Sequence, residues 1–357
     1  MALTINTNIS SLIAQRSLTA ATDGMNLSLE RMSTGYKINH AKDNAAGYSI
    51  ANSWETKLGS LDVAADNAAT GLDLLTTAEE TYGLLTSHLQ RVRDLTEQAA
   101  NGTYGSQSLK AIHAEISARL HEINRLSANS EFNGIKLMAY DMEDETKNAE
   151  VGITNAGVNL QVGLYADENS TINLKVDLFA KANISGLFGG MTEKYKVPDK
   201  DDPTTMVEKT LQDLLKAANN ETELEDFKSE EGVAAFAAAC CGLKYIAADE
   251  TAGTPEKLYL QDDGYYGAKQ MLMYLDSAID EISTRVTKIG AAQNRVQSAV
   301  EALDVQSQNL TSSLSTLRDT DVAEESSTYI QQQILQQSSA TLLSTANQLP
   351  SIALNLI

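Results

Sequence analysis

The feature that most constrains this fold is a seven-residue repeat of apolar side chains between residues 275 and 317. The apolar positions advance by steps of four and three, and polar Gln293 and Ser307 occupy two positions that the repeat skips. This spacing is typical of a helix that packs along one face in a coiled coil. Because the stretch contains no proline, and no glycine after Gly290, we predict one helix of roughly 65 Å at ~1.5 Å per residue. The predicted seam residues are Leu275, Ile282, Ile289, Val296, Leu303, Leu310 and Leu317.

A helix of this length cannot bury its own apolar face, and matching faces lie upstream in the chain. One predicted helix carries the same repeat from residue 54 onward, and a second follows the helix-breaking sequence "NGTYG" at residues 101–105. The upstream seam residues are Trp54, Leu58, Leu61, Leu72 and Leu75. Three helices from the two halves of the chain therefore share one bundle, and the residues between them form an insertion that leaves the bundle and returns.

Entering the insertion, the apolar period changes from seven residues to two. Residues 158–164 and 172–178 alternate apolar and other side chains on either side of the turn "YADENS", which predicts a β-hairpin that caps the bundle. We expect residues 179–268 to form a separate small acidic α+β domain. Its adjacent cysteines, Cys240 and Cys241, cannot form a disulfide framework, and we interpret them as small buried side chains rather than a redox or metal pair. The predicted fold is mainly α: a long helical coiled-coil bundle built from both chain ends, with the hairpin region and the inserted domain.

The charge distribution narrows the choice of partners. The net charge is −21, and residues 139–268 hold 25 acids against 11 bases. Nucleic acid and anionic membrane surfaces are disfavoured as partners because both are negatively charged. By contrast, residues 326–357 contain no charged side chain, and residues 1–22 contain only Arg16. Such ends are poorly suited to permanent exposure to water.

Both ends of the chain carry thin amphipathic helical patterns. Burying a Leu or Ile contributes about 1.5–3 kcal/mol and fixing a backbone residue costs about 1–2 kcal/mol, so we expect each end to be disordered in the monomer and to order on a partner. If identical subunits stack their ends together, charges of one sign would meet out of water, and uncharged ends avoid that repulsion. We therefore expect a self-assembling protein whose ends order inside a polymer. The candidate assembly residues are Leu18, Met25, Leu29, Met32, Ile334, Leu335, Leu342 and Leu349.

The stretch "KINHAKDNAAGYSIA" at residues 37–51 has the polar density of an active site, but the chemistry around it favours a structural role. It joins the first terminal helix to the bundle, and Ala45, Ala46 and Gly47 permit close backbone approach. All four histidines lie outside the insertion, and the chain has no H-E-x-x-H, G-x-S-x-G, P-loop or G-x-G-x-x-G motif. We therefore predict no catalytic, metal or cofactor-binding residues. We also expect neither a secretory signal nor a membrane-spanning segment.

Seven stretches closely resemble bacterial flagellin. In the first half these are "LTINTNISSLIAQRSL", "LSLERMSTGYKINHAKDNAAGYSIA", "LQRVRDLTEQAANGTYG" and "EINRLSANSEFNG". Near the other end they are "AAQNR", "RDTDVAEESS" and "QILQQSSATLLSTANQLP". The resemblance covers about residues 1–178 and 269–357, in the family's order. Residues 179–268 fall in the family's variable region and receive no role from it.

The resemblance implies a filament subunit for swimming motility, located outside the cell and exported by the flagellar type III system. It implies as partners other copies of the chain, a flagellar secretion chaperone, and the hook-junction and cap proteins. It also implies a division of the chain: residues 1–43 and 319–357 as an inner terminal-helix domain, 44–178 and 269–318 as the bundle, and 179–268 as a surface-exposed insertion.

A second implication concerns an animal host. The sequences "LQRVRDL" and "HAEISARLHEI" resemble the flagellin segments that the flagellin-sensing Toll-like receptor recognises. Carried over residue by residue, the receptor-contact candidates are Gln90, Arg91, Leu95 and Glu115. The same helices are expected to contact other subunits in the filament, so we hypothesise assembly contacts in the polymer and receptor contacts in the free monomer.

Two alternatives share part of this pattern. A minor flagellin or hook-filament junction protein has similar terminal helices without forming the bulk of a filament. A non-flagellar secreted adhesin could use the acidic insertion for binding. The resemblance runs through both long bundle helices, which favours the filament subunit.

Overall fold

The computed structural model describes residues 8–140, 157–165, 167, 170–188, 195–198, 206–209, 211–218, 230–246, 257–260 and 264–354. Within these residues the predicted mainly α fold is confirmed. The helices are α1 (Ile9–Thr34), α2 (Ala45–Ala99), α3 (Ser106–Asn129), α4 (Ile184–Phe188), α5 (Leu211–Ala218), α6 (Glu230–Cys241), α7 (Gly264–Arg318) and α8 (Val322–Leu354).

The strands of the described residues form short antiparallel pairs. The pairs are β1 (Glu131–Phe132) with β2 (Ile135–Lys136), β3 (Val158–Gln161) with β4 (Thr171–Leu174), β5 (Tyr195–Pro198) with β6 (Met206–Lys209), and β7 (Leu243–Ile246) with β8 (Lys257–Leu260). A two-stranded pair is only marginally stable by itself.

The chain divides into two compact units. One comprises Met1–Val63 and Leu303–Ile357, and the other comprises Ala64–Ala302. The helices α2 and α7 each contribute residues to both units, as expected for helices of 55 residues.

The core of the 64–302 unit lies between α2, α3 and α7. Its largest fully buried side chains include Tyr82 and Leu89 of α2, Ile116 and Ile123 of α3, and Tyr274 of α7. Of the candidate seam residues, the structure buries Leu61, Leu75, Leu275, Ile282, Ile289, Val296 and Leu303. It leaves half-buried Trp54, Leu58, Leu72, Leu310 and Leu317. The seven-residue repeat therefore marks inward-facing positions along both long helices.

The hairpin is present, and both of its strands end earlier than the alternation predicted, β3 at Gln161 rather than at residue 164 and β4 at Leu174 rather than at residue 178. Leu160 pairs with Ile172 and Val158 with Leu174 across β3 and β4. The strand ends at Leu174, because residues 176–178 turn into a 3-10 helix. Alternating burial continues through that turn, which is why the sequence pattern overran it. The hairpin lies close to α2: a Cβ at Gly71 would stand 2.3 Å from Leu160 Cδ1.

The described part of the insertion shares its core with the bundle. Helices α4, α5 and α6 contribute buried residues to the same hydrophobic core as α2, α3 and α7. The Ala-rich sequence does form a helix, α6, and both cysteines on it are free and buried.

Candidate functional site

The terminal helices α1 and α8 pack side by side and antiparallel, although we expected them to be disordered in the monomer. Hydrogen bonds join Asn8 Nδ2 to the Ala346 carbonyl at 2.6 Å and Gln336 Nε2 to Thr22 Oγ1 at 3.1 Å. At the opposite end of the pair, Arg31 and Glu325 form an ion pair at 3.6 Å. These polar contacts explain how two helices with little apolar surface between them stay together.

The seam inside this pair consists of small and polar residues at seven-residue spacing. On α1 its buried members are Ala14, Ala21 and Ser28. On α8 its members are Glu325, Gln332, Ser339 and Ala346, with Gln332 half-buried and the others buried. Gln332 lies so near α1 that a Cβ at Gly24 would approach its side chain to 2.9 Å. Small side chains thus allow the two backbones to come close but bury little apolar area.

The larger apolar side chains of the pair are on its outside. On α8, Leu342 is 63% exposed and Ile334 is 58% exposed. We call these exposed apolar residues of both helices the terminal stripe. Its members are Ile9, Leu12, Ile13, Leu29, Val322, Ile330, Ile334, Leu335 and Leu342. The terminal stripe is apolar surface that the monomer leaves unburied.

The predicted assembly residues lie in the terminal stripe or beside the seam, except Leu349. Four of them, Leu29, Ile334, Leu335 and Leu342, belong to the terminal stripe. Leu18, Met25 and Met32 are half-buried beside the small residues of α1, and the side chain of Leu349 lies outside the described part of α8. Sequence reasoning missed the exposed residues at the start of α1, Ile9, Leu12 and Ile13, because they do not follow a seven-residue spacing.

The polar segment between α1 and α2 is built around its own backbone. The carboxylate of Asp43 accepts hydrogen bonds from the amides of Asn39 at 3.2 Å and His40 at 2.9 Å, which lowers the pKa of this carboxyl. His40 Nε2 lies 2.8 Å from Glu30 Oε1. The polar side chains that gave this segment the look of an active site therefore hydrogen-bond to its own backbone and stabilise a turn.

A second contact holds this segment against the chain that enters α8. Tyr36 and Asp319 form an antiparallel bridge, and the Arg318 guanidinium stacks over the Tyr36 ring at 4.2 Å. Arg318 also pairs with Glu55 at 3.1 Å. The two connections into the terminal helices are thereby fastened to each other.

The receptor-contact candidates lie on adjacent faces of α2 and α3. Arg91 Nε donates to Glu115 Oε1 at 2.8 Å, and this hydrogen bond lowers the pKa of Glu115. Both side chains are partly exposed, and Gln90 is exposed. Leu95 is only 3% exposed and belongs to the hydrophobic core, so it cannot offer its side chain to a partner while the bundle is folded. The four receptor-contact candidates stay a prediction, in which Gln90, Arg91 and Glu115 have exposed or partly exposed side chains and Leu95 is a packing residue of the folded bundle.

The described residues contain no group of three or more His, Cys, Asp or Glu side chains placed to hold a metal ion. Within the same residues, no helix is both long enough and apolar enough to span a membrane.

Comparisons with known proteins match both ends of the chain. The family model for the bacterial flagellin N-terminal helical region matches residues 5–142, and the model for the C-terminal helical region matches residues 272–357. Similar curated relatives are Polar flagellin F of Vibrio parahaemolyticus, 33% identical, Flagellin C of Vibrio anguillarum, 33% identical, and Flagellin D of Vibrio cholerae, 34% identical. Each alignment covers 100% of this chain and 100% of the relative.

Proposed function

This chain belongs to the bacterial flagellin family, and from that premise we propose that the terminal stripe is the surface through which it polymerises. Flagellins are structural proteins that assemble into the extracellular flagellar filament, so the chain is a structural filament subunit for motility and not an enzyme. The proposal concerns which residues make the contacts between subunits.

The observation that carries this proposal is the distribution of side chains on the terminal pair. Small and polar residues fill the contact between α1 and α8, whereas Ile334, Leu342 and their neighbours face outward. Full burial of one Leu or Ile contributes about 1.5–3 kcal/mol, so several such residues per subunit provide a substantial driving force for association. The uncharged sequence of residues 326–357 makes other copies of the same end suitable partners, because no like charges meet.

Seeded growth tests the role of the C-terminal end. Purified monomer is added to sheared filament fragments and elongation is followed by electron microscopy, beside a chain that lacks residues 326–357. We expect long filaments from the full chain and none from the truncated chain. Filaments from the truncated chain would show that α8 is dispensable for assembly.

We also propose that a secretion chaperone holds α8 before export through the flagellar type III channel, and that hook-junction and cap proteins meet the same stripe at the two ends of the filament. The support is the exposure of Ile334, Leu335 and Leu342, which an unassembled subunit would present to the cytoplasm. Calorimetric titration of the chaperone into the full and truncated chains tests this. Equal affinity for both chains would exclude α8 as the binding segment.

Recognition of the free monomer by the flagellin-sensing Toll-like receptor is a further part of the proposal. Its support is the partly exposed Arg91–Glu115 pair and the exposed side chain of Gln90. A reporter-cell assay compares the parent monomer with Arg91→Ala and with Arg125→Ala, a control that removes another surface ion pair of α3. We expect signalling to fall for Arg91→Ala only, and unchanged signalling would refute the receptor role.

Between a filament flagellin and a hook-filament junction protein, the full-length alignments with Vibrio flagellins favour the filament flagellin. The names of those relatives distinguish flagellins F, C and D. Similarity to them is therefore consistent with either a major or a minor filament subunit. Electron microscopy of cells in which this chain is the sole flagellin distinguishes them. Full-length filaments indicate a major subunit, stubs indicate a minor one, and adhesion without filaments would support the adhesin alternative.

A further inference from the structure

The helix α6 is buried around its whole circumference. Val233 and every residue from Ala235 to Cys241 are at most 5% exposed. A helix that is apolar on all sides needs neighbours on all sides. An ordinary surface helix would instead show a polar face along its whole length, opposite its apolar stripe.

Neighbours of α6 on two sides come from the bundle. On α3, His113 Nε2 lies 3.0 Å from the Ala234 carbonyl oxygen. On α2, the fully buried Thr96 acts on the pKa of the Cys240 thiol through a side-chain hydrogen bond, while its hydroxyl donates to the Val92 carbonyl at 2.8 Å. A shift of α6 by one turn along α3 would break the contact between His113 and the Ala234 carbonyl.

Two further contacts close the other sides of α6. The ring of Phe236 lies 4.8 Å, centroid to centroid, from the ring of Phe188 on α4. At its C-terminal end, a Cβ at Gly267 of α7 would stand 4.0 Å from the Cα of Gly242. Gly242 has a φ of +62°, a conformation that glycine adopts without strain.

The described remainder of the insertion supplies part of the surroundings of α6, through α4, α5 and β7, but its elements are small. It consists of two two-stranded pairs, the five-residue α4 and the eight-residue α5. Elements of this size bury little apolar surface by themselves. The Ala side chains on α6 also require that neighbouring backbones approach closely, which long helices such as α2 and α3 permit.

We propose that α6 is an integral helix of the bundle core, docked on α3 for as long as the bundle is folded, and that the insertion is therefore not a detachable domain. Two consequences follow. The insertion and the bundle open together, and the face of α3 around His113 is closed to other proteins. A partner that approaches α2 and α3 must use the exposed edge that carries Arg91 and Glu115.

The two buried thiols make the proposal testable in the full chain. An aromatic disulfide reagent labels Cys240 and Cys241 only when α6 leaves the core. Labelling rates are measured over a series of urea concentrations, and hydrogen exchange of peptides from Ser106–Asn129 is measured by mass spectrometry under the same conditions. We expect thiol labelling and α3 exchange to report one opening reaction with the same urea dependence. Thiols that react at least ~10-fold faster than α3 opens, with a shallow urea dependence, would overturn the proposal.

A pair of aromatic substitutions gives a second, independent test. Phe236→Ala is expected to accelerate exchange of α3 by about 100-fold or more, because large-to-small changes in a packed core are strongly destabilising. Tyr165→Ala is the control, since Tyr165 is 59% exposed, and it is expected to leave α3 exchange unchanged. Unchanged α3 exchange in Phe236→Ala would overturn the proposal. If that variant does not fold, the comparison of labelling and exchange in the parent chain still decides the question.

Discussion

Alkaline pH is expected to destabilise the subunit through the Cys240 thiol. Burial raises the pKa of this thiol from 9.0 to about 12, and the hydrogen bond with Thr96 offsets only part of that effect. In the unfolded chain the thiol loses its proton near its ordinary pKa of 9.0. Above pH 9 the unfolded state therefore binds fewer protons than the folded state, so stability falls as pH rises from about 9 towards 12.

The size of the effect follows from these two pKa values. Between pH 8 and pH 10 the free energy of unfolding should fall by about 1.4 kcal/mol on account of Cys240 alone. Cys241, whose pKa is also raised by burial, and other groups add further losses. A comparison with Cys240→Ala isolates the contribution of one thiol, because the remaining groups titrate in both chains.

The assay is urea unfolding of the parent and of Cys240→Ala at pH 8 and at pH 10, followed by circular dichroism. The variant is expected to lose about 1.4 kcal/mol less than the parent over this pH interval, whatever its stability at pH 8. An equal loss in the two chains would refute the reasoning, because it would mean that the thiol is as free to ionise in the folded state as in the unfolded state.

Three further substitutions test particular contacts. Gly157→Ala should lower the free energy of unfolding by about 2 kcal/mol or more, since φ is +87° and the new Cβ would lie 2.0 Å from the Leu174 carbonyl oxygen. Parental protection of the β3 and β4 amides from hydrogen exchange in this variant would contradict the geometry. Tyr82→Phe should cost about 1–2 kcal/mol in urea unfolding, because the hydroxyl donates to the buried Leu178 carbonyl at 3.1 Å, and an unchanged midpoint would show that this bond contributes nothing. Leu95→Ala should cost about 2–5 kcal/mol, so reduced receptor signalling at full parental stability would contradict the role of Leu95 as a packing residue.

The bundle could be predicted from the sequence because its pattern is long and regular. Repeats such as that from Leu275 to Leu317 give the period, length and buried face of a helix. In the structure every position of that repeat is buried or half-buried. The hairpin followed from a change of period, but the ends of both strands were predicted too late, and for the second strand the reason is that buried positions continued into a 3-10 turn.

The terminal stripe and α6 were harder to predict for a physical reason. Periodicity shows that Leu335 and Leu342 share a side of α8, but it does not show which surface that side meets. The contact with α1 is made instead by Ser339 and Ala346, whose small size carries no hydrophobic signal. The apolar composition of α6 predicted a helix, but only the three-dimensional structure shows that it shares its core with α2, α3 and α7.

Leu95 illustrates the same limit at the candidate recognition surface. A resemblance between sequences carries over the identity of a residue and not its exposure. Arg91 and Glu115 reach each other across α2 and α3, whereas Leu95 points into the core in this chain.

The central claim is that the exposed apolar side chains of α8 form subunit contacts, and a change of one of them tests it most directly. Leu342→Lys and the conservative control Leu342→Met are compared with the parent in seeded elongation. Because Leu342 is 63% exposed, neither change should alter the folded monomer by more than about 0.5 kcal/mol. An unpaired ammonium buried between subunits costs far more than an apolar side chain, so we expect filaments from the parent and Leu342→Met and none from Leu342→Lys. Elongation of Leu342→Lys at the parental rate would contradict it.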